Sequence, residues 1–166
     1  MDGKSCGAEQ EKHNVVVTFQ VLEHITNIDT FIESSIKVMK PNGLLIIAVP
    51  NNESFIKFCQ NNLLNMPPHH LLHWNEKSLS YIAKKYNLEI VDIYKESLTN
   101  IHKKWHDTVL ISKAIRNFFG LKTKSINVSF TQKIINKLAF LLSHKIKPSN
   151  SMNEDGATIA IVLKKT

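Results

Sequence analysis

Two short runs, Val15-Val16-Val17-Thr18-Phe19 and Leu44-Leu45-Ile46-Ile47-Ala48-Val49, constrain what this chain can fold into more than any other feature. Brief aliphatic stretches rich in β-branched residues have the character of strands buried on both faces, the habit of parallel sheets. Between them Phe31, Ile32, Ser35, Ile36 and Met39 recur at helical spacing, which predicts a helix from about Asp29. Pro41-Asn42-Gly43 should end that helix, with the glycine supplying a left-handed residue. Strand, helix, short turn and strand make a βαβ unit, whose two strands run parallel through a right-handed crossover. The chain is therefore expected in the α/β class.

Further along, Glu53–Leu64 reads as a short helix with Phe55, Phe58 and Cys59 inward, followed by the loop Met66-Pro67-Pro68-His69-His70. A helix over Glu76–Tyr86 places Leu79, Ile82, Ala83 and Tyr86 on one side, with Asn75 as N-cap. Leu88–Tyr94 and Ala157–Leu163 are expected as the remaining strands. Between them lies a basic segment. From Ser97 to Asn150 there are ten Lys or Arg against one acid, Asp107, a local balance of +9 in a chain whose total is +7. Two amphipathic helices are predicted there, about Trp105–Phe119 and Val128–His144, broken at Gly120. Their apolar stripes (Trp105, Val109, Ile115, Phe118, then Phe130, Ile134, Leu138, Leu141) should face the domain, with Lys113, Arg116, Lys133 and Lys137 outward. Adjacent strands need only a few connecting residues, so an insertion of this length should cover or extend a site. Basic amphipathic helices also suit peripheral contact with an anionic membrane. Nucleic-acid binding is disfavoured, because no recognition motif accompanies the charge.

Cys6 and Cys59 stand far apart, too few for a disulfide framework or a structural zinc site. The polar N-terminus has no apolar signal core, and no stretch reaches the roughly 18–20 apolar residues of a membrane span. A cytoplasmic location is expected.

In order and spacing, four segments resemble the class I S-adenosylmethionine-dependent methyltransferases, particularly the group related to ubiquinone-biosynthesis enzymes. They are Val15-Val16-Val17-Thr18-Phe19-Gln20-Val21-Leu22-Glu23-His24, Val38-Met39-Lys40-Pro41-Asn42-Gly43 with the strand up to Asn51, Pro67-Pro68-His69-His70-Leu71-Leu72-His73-Trp74-Asn75-Glu76-Lys77-Ser78-Leu79, and Gly156–Lys165. The resemblance implies strands 4, 5, 7 and 6 of the family's 3-2-1-4-5-7-6 order, a partial Rossmann-like methyltransferase sheet with strand 7 antiparallel. It also implies that strands 1 to 3, with their acidic-Gly-x-Gly-x-Gly loop and ribose-binding acid, are not in this sequence. The five glycines agree, since Gly3, Gly7, Gly43, Gly120 and Gly156 never form Gly-x-Gly. The expected organisation is a polar N-terminal remnant (1–13), a partial methyltransferase domain (14–96 and 156–166) and a basic helical insertion (97–155). Val15–Phe19 would then be an exposed edge, expected to be met by a second chain or by self-association, or to mark a truncated gene product.

The resemblance implies S-adenosyl-L-methionine as cofactor, with Thr18, Phe19 and Gln20 beside its methionine portion, and a small-molecule or lipid-linked methyl acceptor. Glu23, His24, His69 and His70 are the candidate catalytic residues, as proton acceptors or substrate-orienting groups. His69 stands first, because two prolines stiffen the backbone before it. Related metal-binding enzymes carry Glu-x-x-Glu-His where this chain has Gln20-x-x-Glu23-His24. Losing one carboxylate weakens a hard-cation site, and no metal is expected. Two alternatives to an enzyme stay open: a catalytically inactive remnant acting as a binding module, and a membrane-surface protein using its basic helices.

Overall fold

The computed structural model describes residues 11–145 and 155–166. Cys6, Gly3 and Gly7, and all but the last three residues of the expected N-terminal remnant, lie outside them. Four strands, β1 (His13–Phe19), β2 (Met39–Pro50), β3 (Leu88–Ser97) and β4 (Asp155–Lys165), form one sheet in the order β1-β2-β4-β3. β1 and β2 are parallel, whereas β4 runs antiparallel to both β2 and β3. This is the expected 4-5-7-6 arrangement, with the last strand reversed between its neighbours.

Helices α1 (Ile28–Val38) and α2 (Glu76–Lys85) cover one face of the sheet. Alternate residues Leu45, Ile47 and Val49 of β2 and Ile159, Ile161 and Leu163 of β4 meet Ile32, Leu79 and Ile82 in a single core, where the six strand residues are fully buried. Each such aliphatic side chain contributes about 1.5–3 kcal/mol by leaving water. The two helices also clasp each other at the rim: Lys85 Nζ and the Tyr86 hydroxyl both donate to Asp29 Oδ1 at 2.6 Å. Asn75 caps α2 as expected and does so within a full capping box, exchanging hydrogen bonds with Ser78.

The opposite face corrects the reading of β1. Val15, Val17 and Phe19 point away from α1 and α2 and are 49–60% exposed, and among the described residues no layer covers them. β1 is thus apolar on both sides but buried on one, and β2 is its only partner strand among the described residues. β3 departs from strict alternation, because its register shifts between Ile90 and Asp92 and leaves Ile90, Val91 and Tyr94 exposed.

Two local expectations are also revised. α1 stops at Val38, and Met39 already begins β2. The left-handed residue of the turn is Asn42 (φ 61°), not Gly43. Gly43 serves close approach instead: a Cβ there would lie 2.9 Å from the Lys40 carbonyl oxygen and 3.3 Å from that of Asn14. Residues 53–64 form no α-helix but two 3-10 turns, Phe55–Phe58 and Leu63–Asn65. Ser54 caps the first turn and packs its hydroxyl on the Asn51 carbonyl, which closes the segment too tightly to propagate.

The insertion forms a helical hairpin, α3 (Asn100–Phe118) and α4 (Phe130–Ser143), with Gly120 in the left-handed conformation just past α3. Its faces agree with expectation only in part: Lys133 and Lys137 are outward, but Arg116 is buried and much of the apolar stripe is open. Phe118, Phe130, Ile134 and Leu141 are more than half exposed, while His106, Ser112, Arg116, Gln132 and Ser143 are buried. Between the helices, hydrogen bonds link Ser112 to Asn136 and Gln132 and Thr108 to Ser143, and α4 also buries Ile135 and Ala139. α3 rests on the Phe55–Phe58 turn, where Phe55 packs edge-on against Trp105 at 4.6 Å.

Candidate active site

In an open sheet of this kind, ligands gather beyond the carboxyl ends of the parallel strands. β1 ends at Phe19, and the next residue, Gln20, adopts φ 53° while its amide donates to the Ala48 carbonyl at 2.9 Å. A left-handed glutamine directly at a strand end is a strained position, of the sort that clusters at functional sites. Phe19 is 60% exposed and Gln20 is open beside it. Thr18 points to the covered face instead, where its buried hydroxyl has no hydrogen-bond partner among the described residues. Phe19 and Gln20 thus stand open at the carboxyl end of β1, with Thr18 on the covered side.

A 3-10 turn, Leu22–His24, follows at once and turns Glu23 inward. The Glu23 side chain is 1% exposed and neither carboxylate oxygen is hydrogen-bonded within the described residues. Its backbone carbonyl ties down the loop after β2 by accepting from the amides of Leu71 and Leu72 at 2.7 and 3.2 Å. That loop brings His70 to the turn. His24 Nε2 lies 3.9 Å and His70 Nε2 4.0 Å from the same atom, Glu23 Oε1. The rings meet edge to face with centroids 4.9 Å apart.

The outer hydrogen bonds set the tautomers. His24 Nδ1 is 2.6 Å from the His69 carbonyl oxygen, which can only accept. His70 Nδ1 is 2.9 Å from Asn65 Oδ1, and Asn65 spends its amide nitrogen on Asn52 Oδ1 at 2.7 Å. Both rings therefore carry a proton on Nδ1, and in the neutral form both Nε2 lone pairs face the carboxylate. Burial pushes the Glu23 carboxyl above its ordinary range, with the neighbouring His24 ring opposing. Burial likewise lowers His70, helped by the adjacent rings of His24, His73 and His69. A carboxyl that resists ionisation and an imidazole that resists protonation are matched for passing a proton.

Of the four residues singled out in the sequence, the structure brings together Glu23, His24 and His70. His69 is exposed and enters through its main-chain carbonyl, bonded to His24. Asn65 was not foreseen, and only its place five residues before His70 hinted at a role. The ligand atoms of Glu23, His24 and His70 all lie within 4.8 Å of one another, so these three could also hold a divalent cation. The missing carboxylate at position 20 is answered by the imidazole of His70, and a set of two nitrogens and one oxygen favours borderline metals over magnesium.

The sequence pattern of the methyltransferase-domain family matches residues 1–93. The ubiquinone biosynthesis O-methyltransferase of Chelativorans sp. is 39% identical over 41 residues, which are 25% of this chain and 16% of that protein. A protein of Mycolicibacterium smegmatis named as a probable S-adenosylmethionine-dependent methyltransferase is 28% identical over 79 residues, covering 48% of this chain and 30% of its own length. The chain thus spans less than a third of either relative. Among solved structures, a protein from Bacillus halodurans C-125 described as a candidate methyltransferase superposes with a TM-score of 0.52 at 16% identity, over 94% of this chain and 65% of that one. That likeness bears on the fold alone. With the match to the family pattern extending over more than half of its residues, the chain belongs to the methyltransferase-domain family.

Proposed function

We propose that this chain forms the acceptor side of an S-adenosylmethionine-dependent methyltransferase, in which Glu23, His24 and His70 manage the acceptor's proton. The observation that carries the reading is the convergence of two imidazole Nε2 atoms, at 3.9 and 4.0 Å, on one oxygen of a buried and otherwise unbonded carboxylate. Bound cofactor would supply a sulfonium-activated methyl group, so that alignment provides much of the rate. Phe19 and Gln20 would line that group at the end of β1. His70 Nε2, held in the accepting tautomer by Asn65, would take the proton from an acceptor hydroxyl as its oxygen bonds the methyl carbon, while the carbon–sulfur bond breaks and its electron pair leaves with sulfur as a neutral thioether. Glu23 stabilises the resulting imidazolium. A divalent cation, if held by Glu23, His24 and His70, would occupy the His70 lone pair and polarise the same hydroxyl in place of proton uptake by His70. The acceptor is a small molecule or a lipid-linked species. The test is transfer of labelled methyl from S-adenosylmethionine to phenolic acceptors with and without a prenyl tail. The reading fails if Glu23→Gln and His70→Ala both keep wild-type turnover.

A second property is favoured by the outward apolar face of the hairpin. Phe118, Val128 and Phe130 are 77–84% exposed in a segment whose own balance is +9. An apolar stripe beside lysines suits an anionic lipid surface. No helix among the described residues is long and apolar enough to cross a membrane. Co-sedimentation with vesicles with and without anionic lipid tests this contact, and equal binding to neutral vesicles would count against it.

A further inference from the structure

Arg116 is 2% exposed in the last turn of α3, and no carboxylate pairs with it among the described residues. Its Nη1 donates to Ser112 Oγ at 2.8 Å and to Gln60 Oε1 at 3.3 Å, and its Nη2 to the Phe58 carbonyl at 3.4 Å. The Nε–H and one of the two Nη2–H groups are left over, and these can form a two-pronged donor edge. Gln60, which spends its oxygen on Arg116, has a buried amide nitrogen with no partner. Both side chains line a cleft of about 480 Å³ between residues 58–62 and the helical hairpin. Its other walls include Trp105, Val109 and Phe140.

A guanidinium is weakly hydrated for a cation and stays charged at every pH a protein survives. Sealing one away from water without a counter-charge is costly. Ser112, Asn136 and Gln132 do not relieve it. Ser112 Oγ accepts from Arg116 and donates to Asn136 Oδ1 at 3.1 Å, so this polar chain relays the charge without neutralising it. The surrounding sequence offers little help, since Asp107 is the one acid between Ser97 and Asn150 and its carboxylate bonds His106 at 3.0 Å.

The geometry points to this cleft as a binding site for an organic anion, a carboxylate or phosphate monoester on an apolar or aromatic body. Arg116 and Gln60 receive the charged head, and Trp105, Val109 and Phe140 receive the body. The head could belong to a methyl acceptor or to a separate ligand, and the site does not depend on the methyl-transfer reading. Cys59 and Asn62 line both this cleft and its neighbour, which reaches Asn65 and His73. A molecule seated on Arg116 could therefore extend toward the residues that position His70.

Calorimetry and thermal melting of the whole chain, without S-adenosylmethionine, test the site with phenyl phosphate and benzoate, against benzamide and inorganic phosphate. Phenyl phosphate and benzoate are expected to bind and raise Tm, while benzamide, which lacks the charge, does neither. Arg116→Met should lose at least tenfold in phenyl phosphate affinity, yet melt no lower than wild type without ligand, because the unpaired charge is gone. Gln60→Glu supplies a counter-ion within the chain. It should raise Tm and abolish the response to anions, with unchanged far-ultraviolet circular dichroism. Equal phenyl phosphate binding by wild type and either variant overturns the assignment of the head. Equal affinity for inorganic phosphate and phenyl phosphate overturns that of the body. Methyl-transfer activity plays no part in these readouts, so failure here is separable from failure there.

Discussion

Glu23 Oε1 and His70 Nε2 face each other across 4.0 Å, one from the turn after β1 and the other from the loop after β2, without forming a hydrogen bond. Their protonation preferences oppose. Glu23 is raised, so the folded state holds its proton more tightly than the unfolded chain, and stability is lost as pH climbs out of the ordinary carboxylate range. His70 is lowered, so the unfolded chain protonates first, and stability is lost as pH falls below about 6.5. Glu23→Gln should therefore melt above wild type at about pH 8, with the gain vanishing near about pH 4. His70→Asn should lose the acid-side slope. Thermal melts across that range measure both, and parallel curves for variant and wild type would refute the assignment.

The two loop histidines should separate kinetically. His70 aims its side chain at Glu23, whereas His69 contributes a main-chain oxygen that any residue would supply. In the methyl-transfer assay His70→Ala should lower kcat by about 10²–10⁴-fold, the usual worth of a proton-transfer group. His69→Ala should leave kcat near wild type.

The turn into β2 gives a test of packing that is independent of chemistry. Gly43→Ala forces a methyl group to within 2.9 Å of the Lys40 carbonyl oxygen and should cost about 1–3 kcal/mol by chemical denaturation. Asn42→Ala places an alanine at φ 61° and should cost about 1–2 kcal/mol. Asn42→Gly should cost nothing.

Among the described residues β1 presents an uncharged edge together with the open side chains of Val15, Val17 and Phe19. Such edges invite another strand. We expect concentration-dependent association in sedimentation velocity, abolished by Val17→Lys, whose side chain points away from the core and leaves the fold intact. A wild-type chain that stays monomeric throughout would contradict this.

Cys59 gives a local probe of burial. Its thiol is pushed up to about 11 by burial, against the opposing pull of Arg116. At about pH 8 roughly one molecule in a thousand carries the reactive thiolate. In a Cys6→Ser background, iodoacetamide should label the folded chain very slowly and the denatured chain readily.

What the sequence made legible was whatever is local or ordered along the chain. The βαβ unit and the Asn75 cap are written in short-range patterns, Gly120 marks the break between α3 and α4, and the reversed final strand followed from the family resemblance. The faces of that hairpin were in part misassigned, for a physical reason. Periodicity finds an amphipathic stripe but not the surface it meets, and α3 rests on a segment that offers the polar Gln60 and the Phe58 carbonyl to Arg116. Glu23 and His70 were named from the resemblance, but which loop histidine aims its side chain at Glu23 depends on the path of a loop that no short-range pattern sets. The 3-10 turns of residues 53–64 were mistaken for one helix since Phe55, Phe58 and Cys59 satisfy either geometry.

The position of β4 has a consequence for how the chain reaches this structure. Residues 155–165 occupy an interior rung of the sheet, bonded to β2 on one side and β3 on the other. During synthesis β2 and β3 must wait, side by side but unjoined, until more than fifty further residues have emerged. Pairings so distant along the chain form slowly, and the apolar rungs stay uncovered meanwhile. The hairpin of α3 and α4 can assemble during that interval. A nascent chain would then hold its anion-seeking arginine in place before the sheet beneath it has closed.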